Sequence, residues 1–250
     1  MSGTEKAIFG DGVGYAAVER ARKEIRERHE KGERCIILDE VCYSEDMAVL
    51  YCCYPNFLSD KPYGSFTVPD TVKIIGEEAF DGAKMLKEII IPEGVEVISF
   101  GAFHACASLR SIRIPASIIG IGYLAFSAST ELTSIDVDVG NKDYSSADGV
   151  LFGKNMNDLC YYPSGKRNGV YRIPDSVDTI WPYAFDRERI RMSVQDTDRD
   201  FSEVRVIVPD NVTKLCDYSF NRNFRYIIVC NEGSSAYDYA MKWGIRYEIA

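Results

Sequence analysis

Along residues 66–137 the hydrophobic and polar positions recur with a period of 23. FTVPDTVKIIGEEAFDGAKMLKE, IIIPEGVEVISFGAFHACASLRS and IRIPASIIGIGYLAFSASTELTS align without gaps. Pro69, Pro92 and Pro115 head one column; Phe80, Phe103 and Phe126 form another. A period of this length marks a solenoid, whose units cannot bury their apolar faces alone and do so by stacking. With Pro as origin, the pattern extends to Pro174 and Pro209. Apolar residues stand three and one before it: Phe66 and Val68, Ile89 and Ile91, Ile112 and Ile114, Tyr171 and Ile173, Val206 and Val208. Phe185 and Phe220 continue the aromatic column. A strand over 132–137 keeps the apolar spacing with Asp138 in place of Pro, and a further strand is expected around Phe224, Ile227 and Val229.

Within one unit, apolar residues two apart predict a strand with one face inward. Pro ends that strand, because it has no N–H to give a ladder. Pro-Asp and Pro-Glu-Gly then turn the chain, and a second apolar run such as VKII or VEVI forms the opposite wall. Ala83, Cys106 and Ser129 share a column that calls for a small side chain.

LKEIIIPEGVEVISFGAF, LRSIRIPASIIGIGYLAF and YRIPDSVDTIWPYAF resemble the repeat of the BspA-like leucine-rich repeat family, from about Asp39 to the C-terminus. The chain departs from ordinary leucine-rich repeats in lacking the Asn column after the strand. The resemblance implies an α/β, β-rich right-handed solenoid with a parallel sheet on one face. It also implies a protein-binding role, since many relatives look like surface adhesins or interaction modules.

Residues 1–34 lie outside the repeat and read as an N-terminal capping segment, with residues 35–250 as the solenoid. Tyr15–Lys31 predicts a helix with Ala17, Ala21 and Ile25 on one narrow side, ended by Gly32 and expected to lie over the first coil as a cap. Residues 39–55 echo residues 148–163: Val41 matches Val150, Tyr43 matches Phe152, Met47 matches Met156 and Leu50 matches Leu159. Each reads as a hairpin projecting from the stack. DRERIRMSVQDTDRDFSE, residues 186–203, reads as a long solvated loop. At the C-terminus Ser234 or Ser235 caps a helix over 236–243, Gly244 stops it and IRYEI forms a last strand. A Gly-Ser-x-Ala-x-x-Tyr-Ala ending resembles the terminal cap of the same family.

Composition narrows the function. There are 29 basic and 38 acidic side chains, a net charge of -9, which argues against nucleic acid, whose binding wants a basic footprint. No apolar run is long enough to span a bilayer. The first residues show no basic stretch followed by an apolar core, so the sequence reads as cytoplasmic as written, or as cell-surface if a leader has been removed. The eight Cys show no zinc spacing and read as reduced structural thiols; the adjacent pair Cys52 and Cys53 stands out. His104, two residues before Cys106, gives no sign of a Cys–His couple with an orienting third group.

GDGVG, residues 10–14, with a helix and a strand ending at Asp39, forms a partial dinucleotide fingerprint. Its G-x-G-x-G spacing is wrong, and the chain proceeds straight into repeats. No cofactor or metal is expected and the reading is non-enzymatic. The candidate site is the outward face of the strands, two and four residues before Pro: Glu88, Ile90, Ser111, Arg113, Ser134, Asp136, Arg172 and Arg205 for the partner, flanked by Ser65, Thr67, Val170 and Ile207. Seven such strands would give a surface roughly 30 Å long. The functional expectation is a protein-interaction module whose partner the sequence does not identify. The alternatives are a cell-surface adhesin or a fragment of one, and a nucleotide-binding or enzymatic N-terminal segment.

Overall fold

The computed structural model describes residues 14–53, 64–167, 169–186, 203–220 and 226–250. These form a β-solenoid of about seven turns. Helix α1 (Tyr15–Glu30) comes first, followed by β1 (Ile36–Leu38), β2 (Val41–Tyr43) and β3 (Val49–Cys53). Three coils follow, each with a strand before its Pro and a two-residue strand after it. They are β4 (Ser65–Thr67) with β5 (Ile74–Ile75), β6 (Glu88–Ile90) with β7 (Val97–Ile98), and β8 (Ser111–Ile114) with β9 (Gly120–Ile121). Strand β10 (Ser134–Val137) leads into β11 (Tyr144–Ala147), β12 (Val150–Gly153) and β13 (Asp158–Tyr161). Two more coils are β14 (Val170–Arg172) with β15 (Thr179–Ile180), and β16 (Val204–Ile207) with β17 (Lys214–Leu215). Strand β18 (Tyr226–Cys230), helix α2 (Ser235–Trp243) and β19 (Tyr247–Ile249) end the chain.

The strands stack into two walls, front and back; the back wall is broken once and the front wall twice. The back wall is a sheet β1-β2-β3-β5-β7-β9 followed by a second sheet β11-β12-β13-β15-β17. The front wall comprises β4-β6, β8-β10 and β14-β16-β18-β19. The coil-to-coil ladders are parallel and in register at the repeat period, as in Val49, Ile74, Val97 and Gly120. The break common to both walls, at the second hairpin, divides the molecule into two modules, each opened by a three-stranded hairpin unit.

Both units follow one plan. Asp39 and Glu40 (φ 48 and 67) make the first turn of one, Asp148 and Gly149 (φ 49 and 71) that of the other. A two-residue connection with both residues left-handed matches the twist of the flanking strands. A register shift then lies between Cys42 and Tyr43 in the first and between Leu151 and Phe152 in the second. These hairpins do not project from the stack. Their inner residues Val41, Tyr43, Leu50, Val150, Phe152 and Leu159 belong to the core, so they are structural elements of the back wall.

A single apolar core runs the length of both modules. Its axis is an aromatic stack. Phe80, Phe103 and Phe126 lie with ring centroids 5.2 and 6.0 Å apart, and Phe126 meets Tyr161 at 5.8 Å. Tyr162, Phe185, Phe220 and Tyr239 carry it on at 5.4, 4.4 and 6.1 Å. Tyr161 and Tyr162 thus bridge the place where the repeat is interrupted, and the Tyr161 hydroxyl donates to the Phe126 carbonyl at 2.9 Å. The small-residue column works as its residue types demand: Cys106 N–H donates to Ser129 Oγ, and that hydroxyl donates to the Phe103 carbonyl at 2.8 Å.

Two sequence expectations need correction. The strand near the C-terminus is Tyr226–Cys230, and Ile228 pairs with Val206. Its inward residues are therefore Tyr226, Ile228 and Cys230, one residue out of phase with Ile227 and Val229; Phe224 lies outside the described residues. Helix α1 forms where its periodicity places it, but it does not sit over the first coil. It lies across the outer surface of the first back sheet. Ala17, Val18 and Ala21 pack on Val49, Ile74 and Val97. Arg28 at the far end reaches Asp46 (3.0 Å), and the His29 ring meets Tyr51 at 5.1 Å. Gly120 lets the other end approach, since a Cβ there would stand 2.9 Å from Ala17 Cβ. The C-terminal cap is as expected: Ser234 accepts from Tyr237 N–H, and Gly244 (φ 64) ends α2.

Candidate functional site

The pleat sends alternate side chains of each front strand inward and outward. Ile89, Ile112 and Ile135 are buried, and the residues flanking them face solvent. The structure brings the candidate residues together as two columns. Ser65, Glu88, Ser111 and Ser134 form one, with Ser65 opposite Glu88 and Ser111 opposite Ser134. Thr67, Ile90, Arg113 and Asp136 form the other, with Thr67 opposite Ile90 and Arg113 opposite Asp136.

Ile90 is 52% exposed, a large apolar side chain in the middle of a polar field. Next to it the Arg113 guanidinium, 76% exposed, pairs with Asp138 at 2.8 Å. The Gly140 N–H and Arg113 together hold the Asp138 carboxyl below the usual carboxylate range. Ser134 donates to Asp136 at 2.9 Å. This is a pre-arranged polar surface with one apolar knob.

The expected row of seven strands is not continuous: β6 and β8 lie side by side without a hydrogen-bonded ladder between them. After β10 the neighbouring backbone is the second hairpin, where Ile135 N–H donates to the Gly149 carbonyl at 2.9 Å. Arg172 and Arg205 therefore belong to a separate patch on β14-β16-β18-β19, which Glu88, Ile90, Ser111, Arg113, Ser134 and Asp136 do not join. Four strands span roughly 15 Å at 4.8 Å each, about half the expected length. In the second patch Val170 pairs with Arg205 and Arg172 with Ile207. The sequence reading missed Glu248, which β19 places in the same sheet, where it takes Arg205 as an ion pair at 3.0 Å. The alternation in IRYEI carried that signal. Residues 187–202 of the expected loop lie outside the described residues.

His104 Nδ1 meets Asp81 Oδ1 at 2.6 Å, linking one coil to the next, while the Cys106 thiol is fully buried, out of reach of a reagent. The cleft beside α1, about 410 Å³, is lined by Arg22, Ile25, His29 and Tyr51. Its Arg22 is spent internally, on Glu19 and Glu77. Among the described residues no group of three or more His, Cys, Asp or Glu is arranged to hold a metal ion. Asp39, the acid of the partial dinucleotide fingerprint, sits in the tight β1–β2 turn of an antiparallel hairpin, not at the end of a parallel strand. Gly14 is packed against Gly120 and the Tyr144 hydroxyl; residues 10–13 lie outside the described residues.

Residues 55–148 match the BspA type leucine rich repeat region in six copies. Over those residues the chain is similar to the BspA leucine-rich type. Among solved structures, the pneumococcal vaccine antigen PcpA shares its fold, at 23% identity and a TM-score of 0.54, covering 67% of this chain and 44% of that one. A leucine rich cell surface protein from Faecalibacterium prausnitzii A2-165 is similar at 27% identity and a TM-score of 0.52, covering 66% of this chain and 40% of that one. The chain thus spans less than half the length of either. No curated protein matches it. No helix among the described residues is long and apolar enough to cross a membrane.

Proposed function

We propose that the protein is a non-enzymatic interaction module that binds a protein partner through the outward columns of β4, β6, β8 and β10. One observation carries this reading. The first back sheet is already occupied by the chain's own helix, whereas the front columns stand uncovered around Ile90 and Arg113. An apolar knob ringed by hydroxyls and charges has the composition of an interface centre with a polar rim. The patch is small, so the affinity it supports alone is that of a transient contact. Arg172 and Arg205 on the second patch would then lie outside the interface.

The test is affinity capture from extracts of the source organism with the parent chain, an Ile90→Glu/Arg113→Glu double variant and an Arg172→Glu/Arg205→Glu double variant. Circular dichroism confirms the fold of each. A partner held by the parent and the second variant but lost at least tenfold by the first supports the reading. A partner indifferent to the first variant, or lost only by the second, moves the site and ends this assignment.

The likeness to a cell surface protein favours a second reading, display on a cell surface as an adhesin or part of one. Protease shaving of intact cells separates the two. Loss of the protein without lysis supports display, and full protection refutes it.

A further inference from the structure

The first hairpin gathers three thiols on one face. The register shift in its β2–β3 ladder leaves Tyr51 and Cys52 together on the outer side of β3, while Leu50 and Cys53 face the core. Cys42 is the residue directly opposite Cys52. Cys35, just ahead of β1, stands on the same face, diagonally across the β1–β2 ladder from Cys42, whose direct partner there is Ile37. Cys35 and Cys52 are exposed, and Cys42 lies beneath them.

The second hairpin shows what this face ordinarily does. With the two units aligned on their turns and register shifts, Tyr144, Leu151 and Tyr161 take the places of Cys35, Cys42 and Cys52. All three are buried against the preceding coil, with the Tyr144 hydroxyl accepting from Ile121 N–H at 2.9 Å and Tyr161 donating to Phe126. At the first hairpin, two of the three corresponding positions are open and all three carry sulfur.

We propose that Cys42 and Cys52 form a cross-strand disulfide by exchange with a small-molecule disulfide of the glutathione class. Directly opposed residues of an antiparallel pair have Cα atoms about 4.5–5.5 Å apart, inside the range a disulfide accepts without backbone movement. Cys35 stands diagonally across the ladder, where separations of about 7–8 Å exceed it. The exposed Cys52 thiolate attacks one sulfur of the reagent and releases one glutathione thiolate. The Cys42 thiolate then attacks the Cys52 sulfur and releases the second. The two electrons lost by the protein sulfurs reduce the reagent's S–S bond, and the two protons end on glutathione. Cys35 remains as the free thiol beside Cys42. The proposal is independent of which face binds a partner.

The experiment incubates the full chain with oxidised and reduced glutathione, alkylates the remaining thiols in denaturant and maps the peptides. The expected result is two fewer free thiols than the eight of the reduced chain, one linkage between Cys42 and Cys52, and a raised urea midpoint. The Cys35→Ser variant should form the same linkage, and Cys52→Ser should form none. Persistent glutathione adducts without closure, linkage of Cys42 to Cys35, or full retention of free thiols would each overturn the assignment.

Discussion

The two back sheets share an inner surface and differ on the outer one. On the first, the outward column is Val49, Ile74, Val97 and Gly120, and α1 lies along it. On the second, the matching column is Asp158, Thr179 and Lys214. Asp158 is half-buried beside Trp181, and burial pushes its carboxyl up. The inward columns are apolar in both modules, because there the aromatic stack demands it. What lies on the outside of a coil is decided by one residue per turn, five after the Pro. Two adjacent apolar residues in a strand mean burial on both faces; one alternating with a polar residue means a solvated wall.

The largest effect should come from exchanging that outward residue for the same polar one in both modules. Ile74→Asn leaves an amide under the helix and is expected to lower unfolding stability by about 3 kcal/mol. Thr179→Asn at the matching place should change it by less than about 0.5 kcal/mol. Urea titration of both variants measures the difference, and equal losses would dissolve the distinction between the two walls.

A smaller effect is expected at Gly120. A Cβ there would stand 2.9 Å from Ala17 Cβ and 3.1 Å from the Gly14 carbonyl, so Gly120→Val must push the first turn of α1 away. Overpacking of this kind costs about 1–3 kcal/mol. Hydrogen exchange should quicken through the first turns of the helix while the front ladders stay protected. Uniform quickening would mean that the helix and the coils open together.

The smallest concerns the helix's other anchor. Asp46 accepts from Arg28, the Ser44 hydroxyl and Ala48 N–H, and these hold its carboxyl far below the usual range, the Arg28 contact foremost. A folded-state pKa below the unfolded one means that the stabilisation is present above about pH 4 and is lost as pH falls through the folded value. Asp46 is more than half exposed, so the contribution is under about 1 kcal/mol. Asp46→Asn should therefore be slightly less stable at neutral pH and lose less than the parent between about pH 5 and pH 2. A parallel acid limb in both proteins would remove Asp46 from the account.

Much of this was legible in the sequence. The inward columns, the aromatic stack, the small-residue column at Cys106 and Ser129, and the Ser234 and Gly244 ends of the last helix all follow from period and residue type. The position of α1 was half-written. VKII and VEVI each carry adjacent apolar residues, which says that a second layer covers them, but α1 is separated from those coils along the chain and nothing local names it as that layer. The broken front wall was harder to see. Pairing between β10 and the second hairpin depends on Gly149 lying against the backbone of Ser134, a close approach that a lone glycine in a turn does not announce. The thiol cluster depends on a register shift, and a one-residue shift changes which face every later side chain takes.

The course of α1 also sets how the molecule carries load. It runs against the direction of the stack, from beside Gly120 back to Asp46. Tension drawn on the chain ahead of Gly14 therefore enters at the third coil and not at the first. It must slide a helix lengthwise over Val97, Ile74 and Val49, whose contacts resist together, before the first hairpin can be peeled from the stack. The helix acts as a strap that converts unzipping into shear.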